Sequence, residues 1–480
     1  MTLEIAVVIL GLLVLAADLW LPLAHKRGLG YAAAAALAVL LAGTFLANGP
    51  GSVTGSMAGG VFVQDAFALF FKRFFLAAAI LALVNAVEFS DRIESGFPEY
   101  CGLILFALSG MLFAASAGNF AMLFVSLELI TVTFYVLTSF QRRNRLSLEA
   151  GVKYLIQGAL SSGILVFGIA LVAGTAGSFS FSEIAASWDR VSGSKLFQLG
   201  ALMVLVGLGF KIAMVPFQLW VPDVYQGAPT PTTAFLAAGS KAAGFALLLR
   251  LLFTAMPELA ARWQNVWIVL CALTILYGNL CALFQRNVKR LLGYSSIAHA
   301  GYLLLGVAAM AGGGNAGGSA LLYYLAGYVF TVMAAFLIVT VALRHLDSED
   351  VSGLSGLGQR SPLLAAALAV ALVSLAGLPP LAGFFGKFLL LGAVVEHAPS
   401  NHGFYCLAVT AVVGVVISIF YYFRVIRAMY WDESPAEAPR ICISTPALLA
   451  LGCCVAAILW LGLFPGPVLR LAAAAIAALR

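Results

Sequence analysis

Apolar residues along this chain fall into long, nearly unbroken runs, and polar residues collect in the short gaps between them. A helix needs about 20 such residues to cross the hydrocarbon core of a bilayer. On that measure the sequence predicts about fourteen spans, near 3–23, 30–48, 66–88, 100–117, 119–140, 149–174, 198–220, 229–254, 264–284, 290–311, 319–343, 363–395, 404–430 and 443–463. The alternation of a strand is absent. The longest polar gaps, 175–197, 344–362 and 431–442, are too short to hold a soluble domain. The expected fold class is therefore an all-α polytopic membrane protein.

Two spans carry internal breaks. The seventh runs through GFKIAMVPFQLWVPDVYQGAPTP, with Pro216 and Pro222, and the twelfth through VSLAGLPPLAGFFGKFLLL, with Gly377, Pro379 and Pro380. Proline removes a backbone donor and clashes with the preceding turn, so each helix must bend or stop. Five spans separate the two breaks, which puts units of five helices in opposite topologies, as in transporters built from inverted repeats around a central site. The expected division is a three-helix segment at 1–99, five-helix units at 100–254 and 255–431, and a C-terminal helix and tail at 432–480. With the N-terminus outside, alternate loops place fifteen basic residues inside, Arg440 among them, and eight outside, Arg480 among them. That bias predicts that both termini face the periplasm.

Composition agrees with the pattern: 62% of the 480 residues are apolar and only 10% are charged, against about 25% charged in a soluble domain. The lipid bilayer is the expected environment, and nucleic acid is not an expected partner. Seven cysteines, at 101, 271, 281, 406, 442, 453 and 454, form no C-x-x-C pair and read as small apolar residues. The first run lacks the positive start of a signal peptide and reads as a retained span.

Against this background four charges stand out: Glu128, Lys211, Lys241 and Lys387, with His299 as a fifth candidate. A charge at a helix centre costs about 2.5–3.5 kcal/mol on insertion scales, so the four together cost roughly 10–14 kcal/mol. A structural role alone rarely justifies an expense comparable to a domain's whole stability. Lys72, Arg73 and Arg250, nearer the span ends, are expected to snorkel to the interface, and Asp18 and Glu88 to be solvated. A desolvated lysine gives up its proton readily and a nearby carboxylate holds the proton on. A Glu128–Lys211 pair that forms and separates would load and unload the lysine. Tyr323, Tyr324, Tyr328 and Thr331 could line a wet path or simply pack. No Walker A motif, dinucleotide fingerprint or cluster of metal ligands is present, so the energy must come from an ion gradient or a partner.

The stretch FKIAMVPFQLWVPDVYQGAPTPTTAFLAAGSKAAG (210–244) resembles the signature of the antiporter-like membrane subunits of respiratory complex I, the subunit N branch in particular. VFVQDAFALFF (61–71), LFVSLELIT (123–131), QRNVKRLLGYSSIAHAGYLLLG (285–306) and SLAGLPPLAGFFGKF (374–388) extend the likeness over nearly the full chain. Ser240–Lys241 on the eighth span differs from the histidine-containing motif of subunits L and M, and Lys387 on the twelfth differs from the glutamate typical of subunit M. Nothing after residue 463 is long enough for the lateral helix of subunit L. The resemblance implies a proton-translocating subunit of bacterial NADH:quinone oxidoreductase in the inner membrane. Glu128 would modulate Lys211, Lys241 would connect, and Lys387 would face the far half-channel. It implies no cofactor on this chain, with NADH, FMN, iron–sulfur clusters and quinone on other subunits. The implied neighbours are the antiporter-like subunit M and small membrane subunits such as K. Gln218 departs from the histidine often found in the family's PFHLW. The other reading is a stand-alone or Mrp-type monovalent cation/proton antiporter subunit.

Overall fold

The computed structural model describes residues 1–22, 25–46, 55–57, 59–93, 96–344, 349–433, 441 and 443–479. Arg440, Cys442 and Arg480 lie outside the described residues. Helices α1 (Thr2–Asp18) and α2 (Lys26–Leu46) precede a hairpin of β1 (Gly55–Met57) and β2 (Phe62–Gln64), then α3 (Ala66–Phe89). Next come α4 (Phe97–Ala115), α5 (Phe120–Thr138) and α6 (Arg145–Ala176), and two short helices, α7 (Phe181–Ala186) and α8 (Trp188–Val191). The broken seventh span is α9 (Lys195–Ile212) followed by α10 (Trp220–Gly227). The eighth is α11 (Thr230–Phe235) and α12 (Lys241–Arg250), joined by a π-helical turn at Leu236–Ser240 and followed by another at Leu251–Ala255. Then follow α13 (Pro257–Arg262), α14 (Gln264–Ala282), α15 (Val288–Ala311), α16 (Ala316–Ala342) and α17 (Leu357–Arg360). The twelfth span is α18 (Pro362–Ala376) and α19 (Ala382–His397), and α20 (Gly403–Trp431), α21 (Thr445–Leu463) and α22 (Gly466–Ala477) complete the chain.

Among the described residues, twelve helices are long and apolar enough to cross a membrane. The expected first span is a 17-residue helix, and the twelfth is divided into helices of 15 and 16 residues, which is why fewer long helices are found than spans expected. The hairpin was not anticipated, because strands of three residues are too short to show alternation; its turn needs Gly59 and Gly60 at φ of 66° and 89°. The most apolar parts of Thr230–Ala255 and Val288–Ala311 are fully buried, whereas those of Gly403–Trp431 and Thr445–Leu463 are only 28% buried. The helices carrying Lys241 and His299 thus form the centre, and an outer ring presents residues such as Val409 and Phe420 to lipid.

Three expectations about span-end charges fail. Lys72 is 1% exposed and pairs at 2.6 Å with the fully buried Glu4 of α1; its Nζ also donates to the Gln64 side chain. Arg250 is buried and clamps Asp65 through two bonds of 2.9 Å, with a third to the Ala115 carbonyl at 3.0 Å. Glu88 is buried, with Arg344 at 3.9 Å. In each case a neighbouring helix covers the site that depth along a single helix would leave near water. Arg73 does lie near the edge, reaching the Thr44 carbonyl at 2.7 Å. Asp18 pairs with Lys26 at 2.5 Å. Cys101, Cys271 and Cys454 are buried, Cys281 is partly so, and Cys406 and Cys453 are exposed on outer helices.

Asp65 also caps α3 by accepting from the Ala68 amide at 2.7 Å, so the clamp joins α3 to the end of α12. Removing one partner of a buried pair costs about 3–5 kcal/mol, because the other charge stays behind. Arg250→Met is expected to lower the Tm of the detergent-purified chain by several degrees, and Asp65→Asn/Arg250→Met by less than the sum of its single changes.

Candidate functional site

Lys211 occupies the last turn of α9, where the helix C-terminus favours a cation. Beyond it the chain turns at Ala213, whose φ of 63° is left-handed. Two of the groups freed by the break find partners: Trp220 Nε1 donates to the Phe210 carbonyl at 3.0 Å, and the Val215 amide donates to Thr274 Oγ1 at 3.2 Å. Lys211 Nζ donates to Thr131 Oγ1 at 2.9 Å, and that hydroxyl donates in turn to the Leu127 carbonyl at 2.6 Å. Glu128 lies one turn before Thr131 on α5, partly buried, and its Oε1 accepts from Ser162 Oγ at 2.5 Å. Glu128 and Lys211, expected as a pair that forms and separates, share no direct bond here among the described residues. The threonine, three residues along the same helix face, takes the lysine instead.

Lys241 opens α12 immediately after the π-helical turn, a local widening often found at functional positions. Its Nζ donates to the Ser296 carbonyl at 2.5 Å and to the Ser296 hydroxyl. Tyr225 and Tyr328 reach the same hydroxyl at 3.2 and 3.1 Å. Gly244, one turn after Lys241, packs directly on the other lysine: a Cβ there would sit 3.2 Å from Lys211 Cγ and 2.8 Å from Ile212 Cγ2. The glycine therefore lets α9 and α12 approach where both carry their lysines.

His299 stands one turn after Ser296 on α15. Its Nδ1 lies 2.5 Å from the Tyr324 hydroxyl and its Nε2 3.1 Å from that of Tyr422, which also bonds Ser295. Its ring is 5.1 Å from that of Tyr328 and 6.0 Å from that of Tyr302. Lys387 rests its ammonium on the Tyr302 ring at 4.5 Å. The same Nζ donates to the Leu375 and Ala376 carbonyls at 2.8 and 3.1 Å, the end of α18 at the break. Gly377 turns the chain there with a φ of 85°, and a Cβ would come within 2.8 Å of Lys387 Cδ.

The predicted residues thus line up through the centre of the molecule, from Glu128 and Lys211 on one side through Lys241 and His299 to Lys387. The three lysines and the histidine are each 2 or 3% exposed. Thr131, Ser296, Tyr302 and Tyr422 were not singled out in advance, although Thr131 and Ser296 sit one helical turn from Glu128 and His299. Tyr324 and Tyr328 join the line. Tyr323 does not; its hydroxyl bonds the Leu461 carbonyl at 2.5 Å in a packing contact. Thr331 bonds the Gly327 carbonyl of its own helix. Gln218 is buried in the α9–α10 break and its Oε1 has no hydrogen-bond partner among the described residues. No group of three or more His, Cys, Asp or Glu side chains converges among the described residues.

Residues 117–418 match the model of the family described as NADH:quinone oxidoreductase/Mrp antiporter, transmembrane. The chain belongs to this family. It is 39% identical to NADH-quinone oxidoreductase subunit N of Moorella thermoacetica over 97% of this chain and 96% of that one. It is 40% identical to the subunit N of Trichlorobacter lovleyi, over 98% and 96%. A chain in the structure of respiratory complex I from Thermus thermophilus with bound aureothin is 34% identical, with a TM-score of 0.80, covering 98% of this chain and all of that one. A chain of the Mrp complex from Dietzia sp. DQ12-45-1b shares the fold, with a TM-score of 0.85 and 24% identity over 100% and 98%. With its apolar helices, this family membership makes the chain a multi-pass protein of the bacterial inner membrane.

In this family member a second charged group anchors the half-helix after the first break. Asp223 on α10 accepts from Lys153 Nζ at 2.7 Å and Arg290 Nη1 at 2.5 Å, tying α10 to α6 and α15. Partial burial raises the carboxyl's pKa, but the hydrogen bonds and charges of Lys153 and Arg290 outweigh it and hold the group below its usual value. A lowered folded pKa gives stability that is complete above the unfolded value, about 3.9, and is lost as pH falls through the folded one. Asp223→Asn is expected to lower the Tm at pH 7, with the gap to the wild type closing as the pH is taken from about 5 to 3; a constant gap would show that the carboxylate's charge is not what holds α10.

Proposed function

We propose that the chain is a proton-translocating membrane subunit of NADH:quinone oxidoreductase, without redox centres of its own. The observation that carries this reading is the set of buried Lys211, Lys241, His299 and Lys387 with the partly buried Glu128, in a chain about 39% identical to curated subunit N proteins over nearly its whole length. Lysines at that depth, each held by hydroxyls or carbonyls rather than by a carboxylate, can exchange protons without breaking an ion pair. Lys211 takes a proton under the influence of Glu128, Lys241 passes it along the Ser296–Tyr328–His299 array, and Lys387 delivers it to the opposite side. Water completes the steps between side chains.

This reading includes fourteen spans, both termini in the periplasm, and inverted five-helix units at 100–254 and 255–431. The two breaks, each with a lysine beside it, support the repeat. NADH, FMN, iron–sulfur clusters and quinone belong to partner subunits, and the neighbours in the membrane are subunit M and small subunits such as K. The second reading is an Mrp-type monovalent cation/proton antiporter subunit. The Mrp chain supports it through fold alone, whereas the complex I chain is also 34% identical.

Lys211→Ala in the assembled complex is expected to cut NADH-driven proton pumping at least ten-fold with assembly unchanged. Intact pumping would reduce the chain to a scaffold. Recovery of the tagged chain in mild detergent free of NADH dehydrogenase subunits would refute the complex I assignment. Thr131→Val, which removes the acceptor for Lys211, is expected to slow pumping less than Lys211→Ala but more than Tyr323→Phe.

A further inference from the structure

The break beside Lys387 has a support outside the central line. Pro379 and Pro380 are exposed, so the loop between α18 and α19 is not enclosed on that side. The last turn of α21 seats against it there. A Cβ on Gly462 would overlap the Pro380 carbonyl oxygen and lie 2.7 and 2.8 Å from the carbonyl carbon and Cα of Leu381. The φ of Gly462 is not positive, so the glycine supplies room rather than a special conformation. Small residues serve this purpose where membrane helices bring their backbones close. The seat is pinned by its neighbours. Tyr323 Oη donates to the Leu461 carbonyl at 2.5 Å, and Leu461, Tyr323 and Ala382 form a small apolar cluster with Phe385 and Leu389 of α19. Gly452, on the outer face of the same helix, has nothing within 4 Å of a Cβ.

The other side of the same loop bears on the lysine. Gly377 packs on the Lys387 stem, and the Leu375 and Ala376 carbonyls just before it accept from Nζ. Residues 377–381 are therefore held between Lys387 at their start and Gly462 at their end. We propose that Gly462 is a positioning residue for Lys387. Its bare backbone lets α21 seat on Pro380 and Leu381, which keeps the break where the carbonyls ending α18 meet the ammonium. The inference rests on the reading of Lys387 as a proton carrier. A methyl group at position 462 must displace backbone, because all three close contacts are main-chain atoms and a close-packed interior has no slack for the overlap. α21 is tied by the Tyr323 bond, so the short loop is the part that moves, and the α18 carbonyls move with it relative to Nζ.

The test uses the assembled complex in sealed vesicles and reads protons moved per NADH oxidised, a ratio that lowered stability or poor assembly alone does not change. Gly462→Ala is expected to lower the ratio at least three-fold. Gly452→Ala gains the same helix propensity and should leave the ratio unchanged. Leu461→Ala loosens the seat without crowding it and should lower the ratio at least two-fold; it carries the test if the crowded variant does not assemble. Lys387→Gln/Gly462→Ala should fall no further than Lys387→Gln, since residues acting through one group are not additive. An unchanged ratio in Leu461→Ala and in any assembled Gly462→Ala would overturn the proposal, as would an equal loss in Gly452→Ala. A further three-fold fall in the double variant would place the effect of Gly462 elsewhere and overturn it as well. Lys387→Gln with the ratio of the wild type would refute the proton-carrier reading itself, and the proposal with it, whereas a loss in Lys387→Gln alone would refute only the role of Gly462.

Discussion

The architecture turns on a property of the bilayer: it offers no water to a carbonyl or amide left unpaired by a broken helix. Two spans of this chain are broken, and each must find donors and acceptors inside the protein. The α9–α10 break uses Trp220 and Thr274 for two of its freed groups. At the α18–α19 break the donor is Lys387 itself. The second break and the second charge therefore support one another. The carbonyls at the end of α18 hold the ammonium where no carboxylate does, and the ammonium satisfies carbonyls that lipid would leave unpaired.

That economy explains the surroundings of the site. The helices bearing Lys241 and His299 are enclosed around those side chains, since a lysine facing hydrocarbon would have no partner. Glycine appears where the backbone must close on a lysine stem, at Gly244 against Lys211 and at Gly377 against Lys387. Buried ion pairs, by contrast, are placed away from the line. Glu4–Lys72 and Asp65–Arg250 tie α1, α3 and α12 together with opposite charges in contact. Paired charges hold the helices in place here, and unpaired ones are kept for the central line.

Much of this was legible from the order of residues, and the failures have a common origin. Helix positions followed from run length, and the two breaks from Pro216 and from Gly377, Pro379 and Pro380. The isolated charges identified the central line because nothing else in such runs requires them. What a single chain pattern lacks is its neighbours. Lys72 and Arg250 looked like interfacial residues when depth was measured along one helix, yet α1 and the start of α3 supply the partners that bury them. The bond between Thr131 and Lys211 was not legible either, because it depends on the rotation of α5 about its axis, which a helix with Glu128 as its one charge does not fix.

The bond from Lys387 to the end of α18 joins protonation to backbone shape. A neutral amine keeps N–H groups to donate but loses the attraction between a positive charge and the negative end of a helix. On the proposed reading, in which that side chain gives up and regains a proton, the last turn of α18 would be gripped less firmly in the neutral form and more firmly in the charged one. A change of charge at one nitrogen atom would in this way reach the backbone at the α18–α19 break, and a shift of that backbone would alter the nitrogen's hold on its proton.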